Sequence, residues 1–277
     1  VPSQTLRRTL GLALVLAASL LPADADANTD AAHGPSALAT AGEGALTLAL
    51  AKPTRPPPEP FVYTAEPHYE AAHFVTGEPG SKRAAKLFEL AQTIAREGSD
   101  LRYSHRTKIR RGEGVYHFDC SGMLNWMLAR VSKQALATLD RERPVAATYA
   151  KTMARAPGHK RRDGWREVER IEDLRPGDIF AWRRPTSWPK GGNTGHAGIV
   201  AALPEPVDFI AGAYLVRIYD STRYAHQDDA RAESGATGFG SGTILFMADD
   251  QGEPIGYAWY GSQSSGWYRT EVAFGRI

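Results

Sequence analysis

The texture of this chain changes once, near Leu174, and that change limits the folds open to it. Before it, apolar residues recur at helical spacing. From Ser81 to Arg96 the residues Ala84, Leu87, Leu90, Ala91 and Ile94 share one face, and Gly98 stands where a helix would stop. From Met123 to Arg130 a second stripe carries Met123, Leu124, Met127 and Leu128, and residues 132–155 read as mostly helical with a break at Pro144. After Leu174 come β-rich runs separated by Gly, Pro, Asn or Asp: Ile179 to Trp182, Ala197 to Leu203, Ala213 to Asp220, Thr243 to Ala248, Ile255 to Tyr260 and Trp267 to Phe274. Helices first and antiparallel strands afterwards predict an α+β fold, with the helix that begins at Cys120 packed on a C-terminal antiparallel sheet.

The N-terminal region carries different signals. Arg7 and Arg8 precede an apolar run from Leu10 to Leu21, followed by Pro22 and the small-x-small patterns Ala23-Asp24-Ala25 and Ala25-Asp26-Ala27. This order matches an export signal over residues 1–27, so the mature protein is expected outside the cytoplasm, periplasmic or secreted. The apolar run is too short to span a bilayer, and no cysteine near residue 22 offers a lipid attachment point, so no stable membrane anchor is expected. Residues 28–60 are rich in Ala and Gly and end in a proline cluster, which predicts a disordered tether. Residues 61–277 hold all 6 tryptophans and are long enough for one globular domain.

A net charge of +2 gives no argument for nucleic acid as a partner. The basic clusters Arg106, Lys108, Arg110, Arg111 and Lys160, Arg161, Arg162 read as solvated loops. The 8 histidines are scattered without ligand spacing, so neither a metal nor a cofactor is expected.

Cys120 is the single cysteine, in Phe118-Asp119-Cys120-Ser121-Gly122. An exported chain with one thiol cannot form an internal disulfide, and an unpaired thiol risks oxidation, so catalysis is the simplest reason for its presence. At a helix start the free backbone N–H groups and the positive end of the macrodipole favour the thiolate, which is the attacking species. Asp119 suits the N-cap. A thiol nucleophile also needs a base. His196 stands between small residues in Gly195-His196-Ala197-Gly198, which leaves its ring room to face a thiol and a substrate. His117, although near Cys120 in sequence, need not face it. For the residue that orients the base, alternation along Leu215 to Asp220 puts Val216, Ile218 and Asp220 on one face. If Val216 and Ile218 lie beneath the Cys120 helix, Asp220 can accept the Nδ1 hydrogen of His196. His226 competes for that third role.

Three segments in this order, Phe118-Asp119-Cys120-Ser121-Gly122, Leu174-Arg175-Pro176-Gly177-Asp178-Ile179 and Gly195-His196-Ala197-Gly198-Ile199-Val200, resemble the NlpC-type, papain-like cell-wall cysteine peptidases. The similarity spans roughly Tyr103 to Asp220. It implies a papain-like fold with Cys120 as nucleophile, His196 as base and a polar third residue, acting without a metal on amide bonds of peptidoglycan stem peptides. By the same resemblance Tyr103, Asp119 and Ser121 would help bind the stem peptide. The family commonly has a histidine where Asp220 stands here. The segment from Val131 to Arg170 and the strands after Gly235 exceed a minimal domain of this type, and Trp259, Tyr260, Trp267 and Tyr268 are candidates for a substrate wall or for core. An amidase or acyltransferase using the same residues, and an inactive wall-binding protein, are the alternative readings.

Overall fold

The computed structural model describes residues 59–60, 74–226, 228–231, 236–259 and 266–277, so the expected export signal and the tether up to residue 58 lie outside the described residues. In chain order the elements are β1 (Glu59–Pro60), α1 (Lys82–Glu97), β2 (Asp100–Arg102), β3 (Lys108–Arg110), β4 (Val115–His117), α2 (Cys120–Val131), α3 (Lys133–Ala137) and α4 (Ala146–Met153). They continue with β5 (Arg166–Glu167), β6 (Ile179–Arg183), β7 (Gly195–Val200), β8 (Glu205–Pro206), β9 (Ala213–Thr222), β10 (Gly238–Ala248), β11 (Pro254–Ala258), β12 (Gly266–Arg269) and β13 (Val272–Arg276).

The α1 helix starts where the Ser81 side chain accepts a hydrogen bond from the Ala84 N–H, and ends where the Gly98 N–H donates to the Ile94 carbonyl. Its buried stripe is Ala84, Leu87, Phe88, Ala91 and Ile94, with Leu90 only half-buried. Phe88 takes the inner place and its ring meets Tyr219 of the sheet.

One sheet runs in the order β1-β12-β11-β10-β9-β7-β6-β13-β5, with β8 paired to β9, and its neighbours are antiparallel. A small second sheet, β2-β4-β3, includes a parallel β2/β4 pair and supports the chain entering α2. The expected strand from Trp267 to Phe274 is instead two. At Thr270 and Glu271 the backbone bonds change partner, from the Ile255 carbonyl beside β11 to the Arg183 N–H beside β6. Residues 59–60, expected in the tether, pair with β12, and the missing side chain of Gly266 is what lets Glu59 approach.

Helices α1, α2 and α4 cover one face of the sheet. Leu87, Met123, Leu124, Met127, Leu128, Tyr149 and Met153 pack there with Ile179, Ala181, Ala197 and Ile199. The other face holds Phe180, Trp182, Val200, Val216, Ile218, Ile244, Phe246, Tyr257 and Phe274. Trp182 of β6 and Tyr257 of β11 stack at 4.0 Å although three strands separate them in the sheet, so the sheet curls until its two flanks touch. Val216 and Ile218 therefore line the inside of the curl and do not lie beneath α2, which corrects the expected packing.

The Leu174-to-Ile179 segment is a turn that seats the sheet on α1. Gly177 has a positive φ of 83°, and a Cβ there would come within 2.1 Å of the Ala84 carbonyl oxygen. Asp178 accepts from the Arg175 N–H and is paired with Arg276. Among the described residues no helix is long and apolar enough to cross a membrane.

Candidate active site

Cys120 is the first residue of α2, and the cap behind it is extensive. Asp119 Oδ1 accepts from the Gly122 N–H at 2.6 Å and from the Ser121 hydroxyl at 3.1 Å. Its Oδ2 meets His105 Nδ1 at 3.0 Å and accepts from Arg143 at 2.8 Å. These internal partners occupy both oxygens of Asp119, and Ser121 spends its hydroxyl hydrogen on the same carboxylate. Met123, Leu124, Met127 and Leu128 are fully buried, which holds the helix and its thiol in place. The Cys120 N–H, at the first helical position, has no intrahelical partner.

His196 approaches from the second position of β7. Gly195 has φ of 128°, and a Cβ at that position would sit 1.8 Å from the Trp182 carbonyl oxygen, so only glycine lets β7 begin there. His196, Gly198 and Asp220 share the inner face, and Gly198 pairs directly with Asp220. The imidazole and the carboxylate meet diagonally across this pair: His196 Nε2 lies 2.6 Å from Asp220 Oδ2. Cys120 lies close enough for its charge to act on His196. Because Nε2 is engaged by Asp220, Nδ1 is the nitrogen left for the thiol, the reverse of the expected ring orientation. The start of α2 comes beside His196 and Asp220 because the Ser221 hydroxyl, next to Asp220, donates to the Phe118 carbonyl oxygen at 2.7 Å.

The electrostatics follow from this arrangement. Burial alone would lower the pKa of His196, but negative charge on Cys120 and the hydrogen bond to Asp220 outweigh it and raise the imidazole to about 9. Burial would raise Asp220, yet His226 and Arg231 beside it hold its carboxyl well below the usual carboxylate range. Burial pushes the Tyr149 phenol well up, and negative charge on Cys120 adds to that push.

The expected candidates divide into two groups. Cys120, His196 and Asp220 come together, and His226 joins them without replacing Asp220, since its Nε2 lies 2.7 Å from the same Oδ2. His117 is tied to Asp100 at 3.0 Å. Tyr103, between β2 and β3, packs edge-on against His105, and the Arg223 guanidinium sits 5.1 Å from its ring. Trp259 stacks on His226 at 4.1 Å and meets His196 edge-on at 5.3 Å, whereas Trp267 is buried in a separate apolar cluster and Tyr260 lies outside the described residues. A polar depression lined by Arg166, Glu167, Asp173, Arg175 and Arg276 contains none of the three central residues.

Sequence reasoning missed Arg231 and Asp229. Arg231 donates to Asp220 Oδ1 at 2.8 Å and pairs with Asp229. The available signal was the alternation Gly238-x-Gly240-x-Gly242, which leaves one face of β10 open for them.

His196, Asp220 and His226 also form the one set of potential metal ligands found among the described residues, their ligand atoms lying within 4.8 Å of one another. The two Nε2-to-Oδ2 separations of 2.6 and 2.7 Å are hydrogen-bond lengths. Ligand atoms around a tetrahedral zinc stand about 3.3 Å apart, as bonds of about 2.0 to 2.1 Å require. Arg231 already supplies the cation that the buried Asp220 needs. The donor set therefore fits a proton-sharing group better than a resident metal.

No family model matches the chain, and no solved structure matches it. An uncharacterized protein of Acanthamoeba polyphaga mimivirus is similar, with 28% identity over 165 residues, covering 53% of this chain and 70% of that protein.

Proposed function

We propose that this chain is an exported cysteine peptidase of papain-like, NlpC-type architecture that hydrolyses amide bonds in peptidoglycan stem peptides. The observation that carries the reading is the convergence of Cys120 on His196 and the 2.6 Å bond from His196 to Asp220, assembled from a helix N-terminus and two neighbouring strands. A thiol, an imidazole and a buried carboxylate in that order are the parts an acyl-transfer nucleophile requires.

The chemistry follows from the contacts. With the Cys120 proton held on His196, the sulfur attacks the carbonyl carbon and the carbonyl oxygen takes the negative charge, facing the Cys120 N–H. The imidazolium gives its proton to the leaving amine as the carbon–nitrogen bond breaks, leaving a thioester. The neutral ring then takes a proton from water, whose oxygen attacks the thioester and releases the acid and the sulfur. Asp220 keeps the ring oriented and stabilises its charged form throughout.

The test is digestion of purified muropeptides by wild-type and Cys120→Ala protein, read by mass spectrometry. Cleavage by the wild type alone supports the proposal, and cleavage by both rules out Cys120 as the nucleophile. Products that gain an added amine in place of water would move the reading to acyl transfer.

A further inference from the structure

Asp220 is held by more than the base it orients. His196 Nε2 and His226 Nε2 address the same oxygen, Oδ2, at 2.6 and 2.7 Å, while Arg231 takes Oδ1 at 2.8 Å. His226 is fully buried and its ring lies flat on Trp259, the planes 22° apart. Its backbone N–H donates to Asp229 Oδ2, and Asp229 also receives the Arg231 N–H and guanidinium. β10 is cut to receive this group. A Cβ on Gly242 would come within 2.7 Å of the His226 Cβ and 2.8 Å of Asp229 Oδ2, and one on Gly240 would come within 2.5 Å of the Arg231 Nε. Gly240 pairs with Asp220 itself, so the trough runs directly beside the carboxylate. An ordinary turn after β9 needs none of this.

We propose that His226 is a positioning residue, a fourth member of the site that fixes the Asp220 carboxylate by donating Nε2–H to Oδ2, with Arg231 and Asp229 locking it in place. The inference rests on the reading of Cys120 as a nucleophile activated by His196. Without His226 the Oδ2 atom keeps one donor and only Arg231 holds the other oxygen, so the carboxylate fixes the direction of the imidazole less sharply. The charged and titratable groups that meet here are Cys120 from α2, His196 from β7, Asp220 from β9, and His226, Asp229 and Arg231 from the segment that follows β9.

The experiment is the rate of Cys120 alkylation by iodoacetamide across pH, with circular dichroism and melting curves to confirm folding. It is run on the full chain and on His226→Leu and His226→Gln. Leu fills the space without donating, and Gln restores a donor. The expected result is a loss of about tenfold in the neutral-pH rate for His226→Leu, with most of it recovered in His226→Gln. A folded Leu variant alkylated like wild type, or a Gln variant as slow as Leu, overturns the proposal. If the Leu variant does not fold, 15N-histidine NMR of the wild type decides. Two solvent-protected, downfield imidazole protons, both shifted in Asp220→Asn, are expected, and finding a single one overturns the proposal. Failure of the nucleophile reading looks different, because wild-type Cys120 would then react no faster than a simple thiol.

Discussion

Ser221 donates its hydroxyl hydrogen to the carbonyl oxygen of Phe118, joining residues 103 positions apart at 2.7 Å. Phe118 leads into Cys120, the proposed nucleophile, and Ser221 follows Asp220, so this bond fixes the separation between the two halves of the candidate site. Both groups are buried. Replacing Ser221 with Ala removes the shorter of two bonds to that carbonyl, which keeps the Ser104 N–H at 3.2 Å, at a cost of about 0.5–1.5 kcal/mol. The expected outcome is a lower midpoint in urea unfolding, together with a fall in Cys120 alkylation rate larger than that of a core variant of equal stability.

Asp119 works as a clamp, with its two oxygens taking four partners. Asp119→Ala removes the N-cap, worth about 0.5–2 kcal/mol, and releases Arg143 and His105 from the start of α2. Asp119→Asn keeps an acceptor for the Gly122 N–H and is expected to lose less. Thermal melts of the two variants, compared with wild type, check the order.

Gly198 leaves room for the Phe180 ring beside His196. A Cβ there would press within 2.6 Å of both the Phe180 ring and the Tyr219 carbonyl oxygen. Gly198→Ala is therefore expected to destabilise by about 1–3 kcal/mol, the usual cost of overpacking, and to slow the proposed cleavage of muropeptides as the Asp220 strand shifts. Chemical unfolding and product mass spectrometry measure the two effects separately.

The imidazole of His196 sets a limit at alkaline pH. Its ordinary value of 6.5 rises to about 9 in the folded protein, because negative charge on Cys120 and the bond to Asp220 outweigh the opposing effect of burial. A group that binds its proton more tightly when folded adds stability that is complete below 6.5 and is lost as pH rises through about 9. Unfolding midpoints are expected to fall across that window and to fall less in His196→Gln. Under the proposed mechanism the charged ring protonates the leaving amine, so peptidase activity is expected to show its alkaline limb near 9.

The parts of the site that local chemistry dictates were legible in the sequence. Ser81 and Asp119 stand at helix starts because their side-chain oxygens satisfy free N–H groups, and the stripe from Met123 to Leu128 is buried as its spacing implies. The pairing of Cys120, His196 and Asp220 could be anticipated from a nucleophile, a base and a strand-end acid in order. What spacing could not supply was the curvature of the sheet. Alternation puts Val216, Ile218 and Asp220 on one face but does not say whether helices or the interior of a curl will cover it. The ring nitrogen facing Asp220 depends on that curvature, and so was reversed. The break at Thr270 was hidden for a related reason, since the residues on either side are strand formers whose partners lie far apart in sequence. Arg231 was missed because a charge in a Gly- and Ala-rich turn normally faces water, and only the empty face of β10 takes it inside.

The placement of β13 bears on when the thiol becomes dangerous. This strand, later in the sequence than any other described, lies between β6 and β5, and β6 in turn carries β7 with the His196 ring. During synthesis the sulfur emerges long before the strands that arm it, and the layer beneath His196 stays unfinished until Val272–Arg276 have docked. If Cys120 is the nucleophile proposed, a chain still short of β13 is expected to be chemically quiet, and a lesion that removes only β13 to silence a site to which it contributes no reacting atom.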